Sequence, residues 1–278
     1  MSYITATTLE DALTALAAGP ASVIAGGTDW FPSQGDRPFD GTLIDISRLV
    51  DLHGVTQTDR GWRIGAATTW TDIINANLPP AFDGLKLAAR EVGSIQIQNT
   101  GTIAGNLCNA SPAADGVPPL LTLNASVELT SGQGVREIAL CDFLQGVRKT
   151  DRAADEILTA IHIPDLPDGS KGAFVKLGAR KYLVISICMV AVLLQVKDDT
   201  LTDIRIAIGA ASPVAQRLTA LETALRGLPT KGLTNAITDD LITGLAPISD
   251  VRATAEYRQT AATQVIQRAV TLALEGDA

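Results

Sequence analysis

The chain has 278 residues, is 46% hydrophobic, and sets 22 Lys and Arg against 30 Asp and Glu for a formal net charge of -8. That length and apolar content suit two domains, or one large one, with a sizeable core. The acidic balance argues against non-specific nucleic-acid binding, and an aromatic content of 4% leaves little for base-stacking platforms.

The periodicity predicts an α/β start. Thr7-Thr8-Leu9-Glu10 reads as a capping box, Leu9, Leu13 and Leu16 share one helix face, and Gly19 suits the stop. Short strands are expected over 22–25 and 43–46. Residues 62–68 read as a strand, Thr69 as the cap of a helix carrying Trp70, Ile73 and Ile74, and 85–91 as a further helix. Strands are predicted over 126–130, 136–139 and 156–163. Pro164-Asp165-Leu166-Pro167-Asp168-Gly169 is the clearest linker, and the domain boundary is expected there.

Beyond it, 173–177 reads as a strand. The apolar run 183–196 is too short to span a bilayer and rich in Val and Ile, so a buried strand is expected. In 202–208, Ile204, Ile206 and Ile208 alternate with Arg205 and Ala207, the pattern of a half-buried antiparallel strand. From Ala215 onward the pattern is helical.

Two stretches carry binding chemistry. In Ala25-Gly26-Gly27-Thr28-Asp29 a strand runs into paired glycines, which let backbone amides approach and converge on phosphate oxygens, and Thr28 adds a hydroxyl. The alternative is an ordinary strand-to-loop turn. The second stretch, 95–115, crowds small, hydroxyl and amide side chains around Gly101-Thr102-Ile103-Ala104-Gly105-Asn106. Ser111-Pro112 then looks like an N-cap with Pro at the first helical position, a natural phosphate site, and Asp115 is expected just inside that helix. The alternative is a polar surface loop. Neither stretch is a Walker A or a G-x-G-x-x-G fingerprint.

Catalytic constellations are sparse. His53 and His162 stand beside no plausible nucleophile or metal set and are expected to be structural. Cys108, Cys141 and Cys188 are odd in number and lack C-x-x-C spacing, which disfavours disulfides and an internal zinc or iron–sulfur site. Free thiols in a reducing cytoplasm are expected, and no secretory leader is apparent. Cofactor-like loops with few catalytic side chains fit a protein whose bound cofactor does the chemistry.

Read together, five segments in order resemble the FAD-binding (medium) subunit of the xanthine dehydrogenase and carbon monoxide dehydrogenase family of molybdenum hydroxylases. They are Ala25 to Asp29, Gly65-Ala66-Ala67-Thr68-Thr69, residues 93–115, Lys176-Leu177-Gly178-Ala179-Arg180, and Asp250-Val251-Arg252-Ala253-Thr254-Ala255-Glu256-Tyr257-Arg258. The resemblance implies an α+β chain. Its FAD-binding domain, of the vanillyl-alcohol-oxidase (PCMH-type) fold, covers 1–168 with subdomains about 1–55 and 56–168. A smaller C-terminal α+β domain, an antiparallel sheet with helices, covers 169–278. It further implies that Ala25, Gly26, Gly27, Thr28 and Asp29 form one diphosphate loop and Thr102, Ile103, Ala104, Gly105 and Asn106 a second. Ser111 and Asp115 would contact the diphosphate and the ribityl or ribose region, Leu158 would pack near flavin or adenine, and Lys176 would lie near the flavin ring. A solvated strand lysine is the alternative for Lys176. Three positions depart from the family pattern: Trp30 where an aliphatic residue is usual, Ala104 in place of a glycine, and Gln98 where arginine is frequent.

The implied complex places molybdopterin on a large subunit and [2Fe-2S] clusters on a small one, with FAD on this chain passing electrons onward, for instance to NAD. No catalytic side chain and no metal ligand is expected here. The competing readings are a stand-alone flavin oxidase or reductase, disfavoured by the scarcity of His and Tyr, and a non-catalytic scaffold with a degenerate flavin site.

Overall fold

The computed structural model describes residues 2–36 and 39–276. The chain opens with β1 (Ser2–Thr5), α1 (Leu9–Ala17), β2 (Ala21–Ile24), α2 (Trp30–Gln34) and β3 (Thr42–Asp45). These strands form a parallel sheet in the order β1-β3-β2, with Tyr3 and Ser22 both level with Leu43. The capping box of α1 is one residue later than predicted: Thr8 is the cap, and Asp11 rather than Glu10 closes the box. A carboxylate at the third helical position reaches back to the cap amide, and that position belongs to Asp11.

Next come β4 (Val55–Thr58), β5 (Gly61–Gly65), α3 (Trp70–Asn75), α4 (Asp83–Glu91), α5 (Ile95–Gln98), α6 (Ile103–Asn109) and α7 (Val117–Thr122). They are followed by β6 (Ser126–Ser131), β7 (Gly134–Ala139), α8 (Leu140–Phe143), β8 (Leu144–Gly146), β9 (Lys149–Thr150) and β10 (Ile157–Ile163). An antiparallel sheet runs β4-β5-β10-β6-β7, with β8 and β9 a separate hairpin. Ile64, Val127, Leu129 and Ile161 join one core with Trp70, Phe82, Leu85, Ile103 and Leu107. Both histidines have structural partners: His53 Nε2 lies 2.8 Å from the Ser47 carbonyl, and His162 Nε2 lies 3.0 Å from Glu128.

After the irregular stretch that follows β10 come β11 (Lys171–Leu177), β12 (Cys188–Lys197), β13 (Thr200–Gly209), β14 (Gln216–Arg217), α9 (Thr219–Leu225) and α10 (Ala255–Glu275). The four strands form an antiparallel sheet in chain order. One face packs on α9 and α10 through Val190, Val192, Ile204, Ile206, Leu221, Ile266 and Val270. On the other, Phe174, Met189 and Ala191 meet Ala88 of α4. That double burial is why β12 reads as an unbroken apolar run rather than an alternation.

Three predicted elements need correction. The buried strand expected over 183–196 begins only at Cys188. Leu183 has a left-handed φ of 53°, and Tyr182, Leu183 and Ile185 are exposed in the β11–β12 connection. The tail from Ala215 is not uniformly helical. Gln216 and Arg217 add an edge strand, and only 3-10 turns intervene between α9 and α10. The helix expected to start at Ser111-Pro112 starts instead at Val117, with prolines in its first turn.

Candidate flavin site

Four segments converge. The first is the turn leaving β2, at the carboxyl end of a parallel sheet, where open α/β sheets place their ligands. Gly27 takes φ 65°, and any Cβ at Gly26 would lie 1.8 Å from the Thr100 carbonyl oxygen. The paired glycines are therefore a steric necessity. They let this turn lie flat against the second glycine-rich segment, and the Thr28 hydroxyl sits beside Gly101. Phe31 and Ser33 start α2 by donating to Gly27 and Asp29. Among the described residues, no backbone or side-chain group accepts from the amides of Gly26, Gly27, Thr28 or Asp29. Consecutive unpaired amides around a positive-φ residue form a concavity suited to an anion.

The second segment is a capped helix, not the expected loop. Thr102 is the cap of α6, accepting from the Gly105 amide at 3.0 Å, while Ile103 donates to Thr68 and Asn106 to the Thr102 carbonyl. Ala104 is ordinary helix, so the alanine in place of glycine costs nothing there. Gly105 is exposed, and the Asn106 side-chain oxygen is buried with no hydrogen-bond partner. The unpaired amides thus belong mainly to the first segment, and the second contributes its cap and Asn106.

The third segment explains the contact between the first two. Thr69 caps α3 with a full capping box to Asp72, and this holds Trp70, 2% exposed, in place. The Trp70 amide donates to Gly101, and its ring packs between Gly101 and Gly116. Sequence inspection put Trp70 on a helix but gave it no role at the site. A large aromatic just after a capping threonine was the only signal available.

Asp115 is 7% exposed and belongs to the turn before α7, where Ser111 Oγ accepts from the Ala113 amide. The Asp115 carboxylate accepts from Lys176 Nζ at 2.6 Å and Ser186 Oγ at 2.6 Å. Lys176 also donates to the Glu91 carbonyl at 3.1 Å, and its side chain is 5% exposed. Lys176 is therefore not the solvated strand lysine weighed as its alternative. Burial pushes the Asp115 carboxyl above the usual range, against the pull of the Lys176 ammonium and the Ser186 hydroxyl. Leu158 lies on β10 at a register shift, buried with Leu129 in the main core. Ser186, Glu91 and Phe31 join the site without any local signal in sequence, whereas Thr100 lay within the second stretch singled out there.

The structure thus brings both glycine-rich segments into contact and the Asp115–Lys176 pair beside them, since Gly116 abuts both Trp70 and Asn106. A family model described as the FAD binding domain in molybdopterin dehydrogenase matches residues 1–166, and one described as the CO dehydrogenase flavoprotein C-terminal domain matches 173–273. The chain belongs to the FAD-binding subunits of the molybdopterin dehydrogenases. The FAD-binding subunit of xanthine dehydrogenase from Escherichia coli O157:H7 is 34% identical over 98% of this chain and 97% of its own length. The medium chain of carbon monoxide dehydrogenase from Hydrogenophaga pseudoflava is 29% identical over 91% of this chain and 89% of its own. A solved carbon monoxide dehydrogenase from that organism superposes with TM-score 0.92 at 28% identity, covering 100% of this chain and 98% of the other. As a medium subunit of this family, the chain is the flavoprotein part of an oxidoreductase. No described helix is long and apolar enough to cross a membrane, and among the described residues no group of three or more His, Cys, Asp or Glu is placed to hold a metal ion.

Proposed function

We propose that this subunit relays electrons through FAD within a heteromeric molybdenum hydroxylase. It takes them from [2Fe-2S] clusters on a small partner, fed by a molybdopterin-binding large partner, and passes them to an external acceptor such as NAD. The observation that carries the FAD part is the run of unpaired amides from Gly26 to Asp29, locked against Thr100 and Gly101. Bound FAD supplies exchange of electrons singly or in pairs, and the protein supplies binding, orientation and shielding from water.

In this reading Ala25 to Asp29 hold the diphosphate, and Thr102 to Asn106 border it. Lys176 has three N–H groups, of which Asp115 and Glu91 take two, leaving one for the flavin ring. Asp115 then serves by fixing that ammonium, and Ser111 keeps its hydroxyl hydrogen to donate. The division of the chain at 168/169 is supported by the irregular backbone there and by the separate apolar cluster on the α9/α10 side of the last sheet.

The test is purification from the native host with metal analysis and a visible spectrum, followed by anaerobic reduction of the complex and addition of NAD. Copurifying molybdenum and iron with a flavin spectrum is expected. A chain that takes up no FAD refutes the binding assignment. A chain that binds FAD but oxidises an organic substrate alone refutes the relay.

A further inference from the structure

Arg258 is the most deeply buried guanidinium in the described chain, 3% exposed, one turn into α10. Its Nη1 donates to the carbonyls of Ile187 at 2.5 Å and Ala210 at 3.0 Å, and its Nη2 to Asp250 at 2.8 Å, while Nε has no partner. Burying a charged group with one donor unsatisfied is costly, so the arrangement persists because the surroundings fix it. The two carbonyls it grips lie one residue before β12 and one residue after β13.

Each of those carbonyls belongs to a residue tied to the site. Ile187 follows Ser186, whose hydroxyl donates to Asp115, and the Ile187 amide donates to Leu177, next to Lys176. Ala210 is a non-glycine residue at φ 61°, a left-handed conformation unfavourable for alanine. Its amide donates to the Pro112 carbonyl at 2.9 Å, within the Ser111–Asp115 turn. Both polar groups of this strained residue are therefore engaged, one by Arg258 and one by the site turn.

We propose that Arg258 is a positioning residue for the flavin site, holding the Ser111–Asp115 turn and Lys176 in register by gripping the Ile187 and Ala210 carbonyls from α10. The proposal rests on the FAD-site reading above. It gives the C-terminal helix a part in cofactor binding, although among the described residues no hydrogen bond joins that helix to the glycine segments.

The test uses the full chain, stripped of flavin and retitrated with FAD well below each variant's Tm. Arg258→Gln is expected to raise the FAD Kd at least tenfold and to speed hydrogen exchange at the Ala210 and Ala114 amides in the flavin-free chain. Arg258→Lys, which keeps a cation and part of the grip, is expected to fall between Gln and wild type, and it stands in if the glutamine variant does not fold. Leu221→Ala, in the core on the same side of the sheet, lowers Tm and is expected to leave the FAD Kd within twofold of wild type. The proposal is overturned if Arg258→Gln lowers Tm while Kd and exchange stay at wild-type values, or if Leu221→Ala weakens FAD equally. A wild-type chain that binds no FAD refutes the functional reading, whereas the exchange comparison still decides Arg258.

Discussion

Replacing Gly26 by alanine tests the contact on which the site is built. The added methyl would stand 1.8 Å from the Thr100 carbonyl oxygen and 2.5 Å from its carbon. Both are backbone atoms, so no rotamer change relieves the overlap, and the two segments must part by roughly 1.6 Å or more to reach ordinary contact. Strain of this kind costs about 1–3 kcal/mol in stability. The unpaired amides of Gly26 to Asp29 move with the turn, so a loss of about 2–3 kcal/mol in FAD binding, or roughly 30- to 150-fold in Kd, is expected. Flavin fluorescence during titration of the stripped chain reads the affinity, and a thermal melt reads the stability. Gly132→Ala is the matched control, since nothing lies within 4 Å of its Cβ position and its φ is ordinary. A folded Gly26→Ala chain with wild-type FAD affinity would refute the argument that the two segments close on one ligand.

Asp115→Asn leaves the Lys176 ammonium buried without its counter-charge and should cost about 3–5 kcal/mol, read as a lower Tm. The double change Asp115→Asn with Lys176→Met should recover part of that loss. Trp70→Ala should cost about 3–5 kcal/mol and weaken FAD binding as well, because the ring spaces Gly101 from Gly116. Arg136 beside Glu156 holds that carboxyl below the usual range, aided by the Ala153 amide and opposed by burial. A folded-state pKa below the unfolded one gives a contribution present in full above the unfolded value of about 4.3 and lost as pH falls through the folded value. The Tm gap between wild type and Glu156→Gln in the flavin-free chain should therefore be open at pH 7 and close on acidification below about pH 4. A gap unchanged at low pH would refute this assignment.

The sequence determined what local chemistry can determine. The capping threonine at 69, the alternation in β13 and the positive φ of Gly27 each depend on nearby chain, so their patterns survive in a linear reading, whereas the need for glycine at 26 comes from Thr100, far along the sequence. The two glycine-bearing segments could be singled out by composition, but their cofactor role came only from the family resemblance. The tertiary structure decided which groups remain free to bind. The Thr102 oxygen is taken by its own helix and keeps only its hydroxyl hydrogen to offer, and Asp115 looks like a helix-start carboxylate but is held by Lys176 and Ser186, 61 and 71 positions away. Whether a polar group is spent or available depends on partners distant in the chain, and only the folded arrangement of β11, β12 and α10 against the glycine segments supplies them.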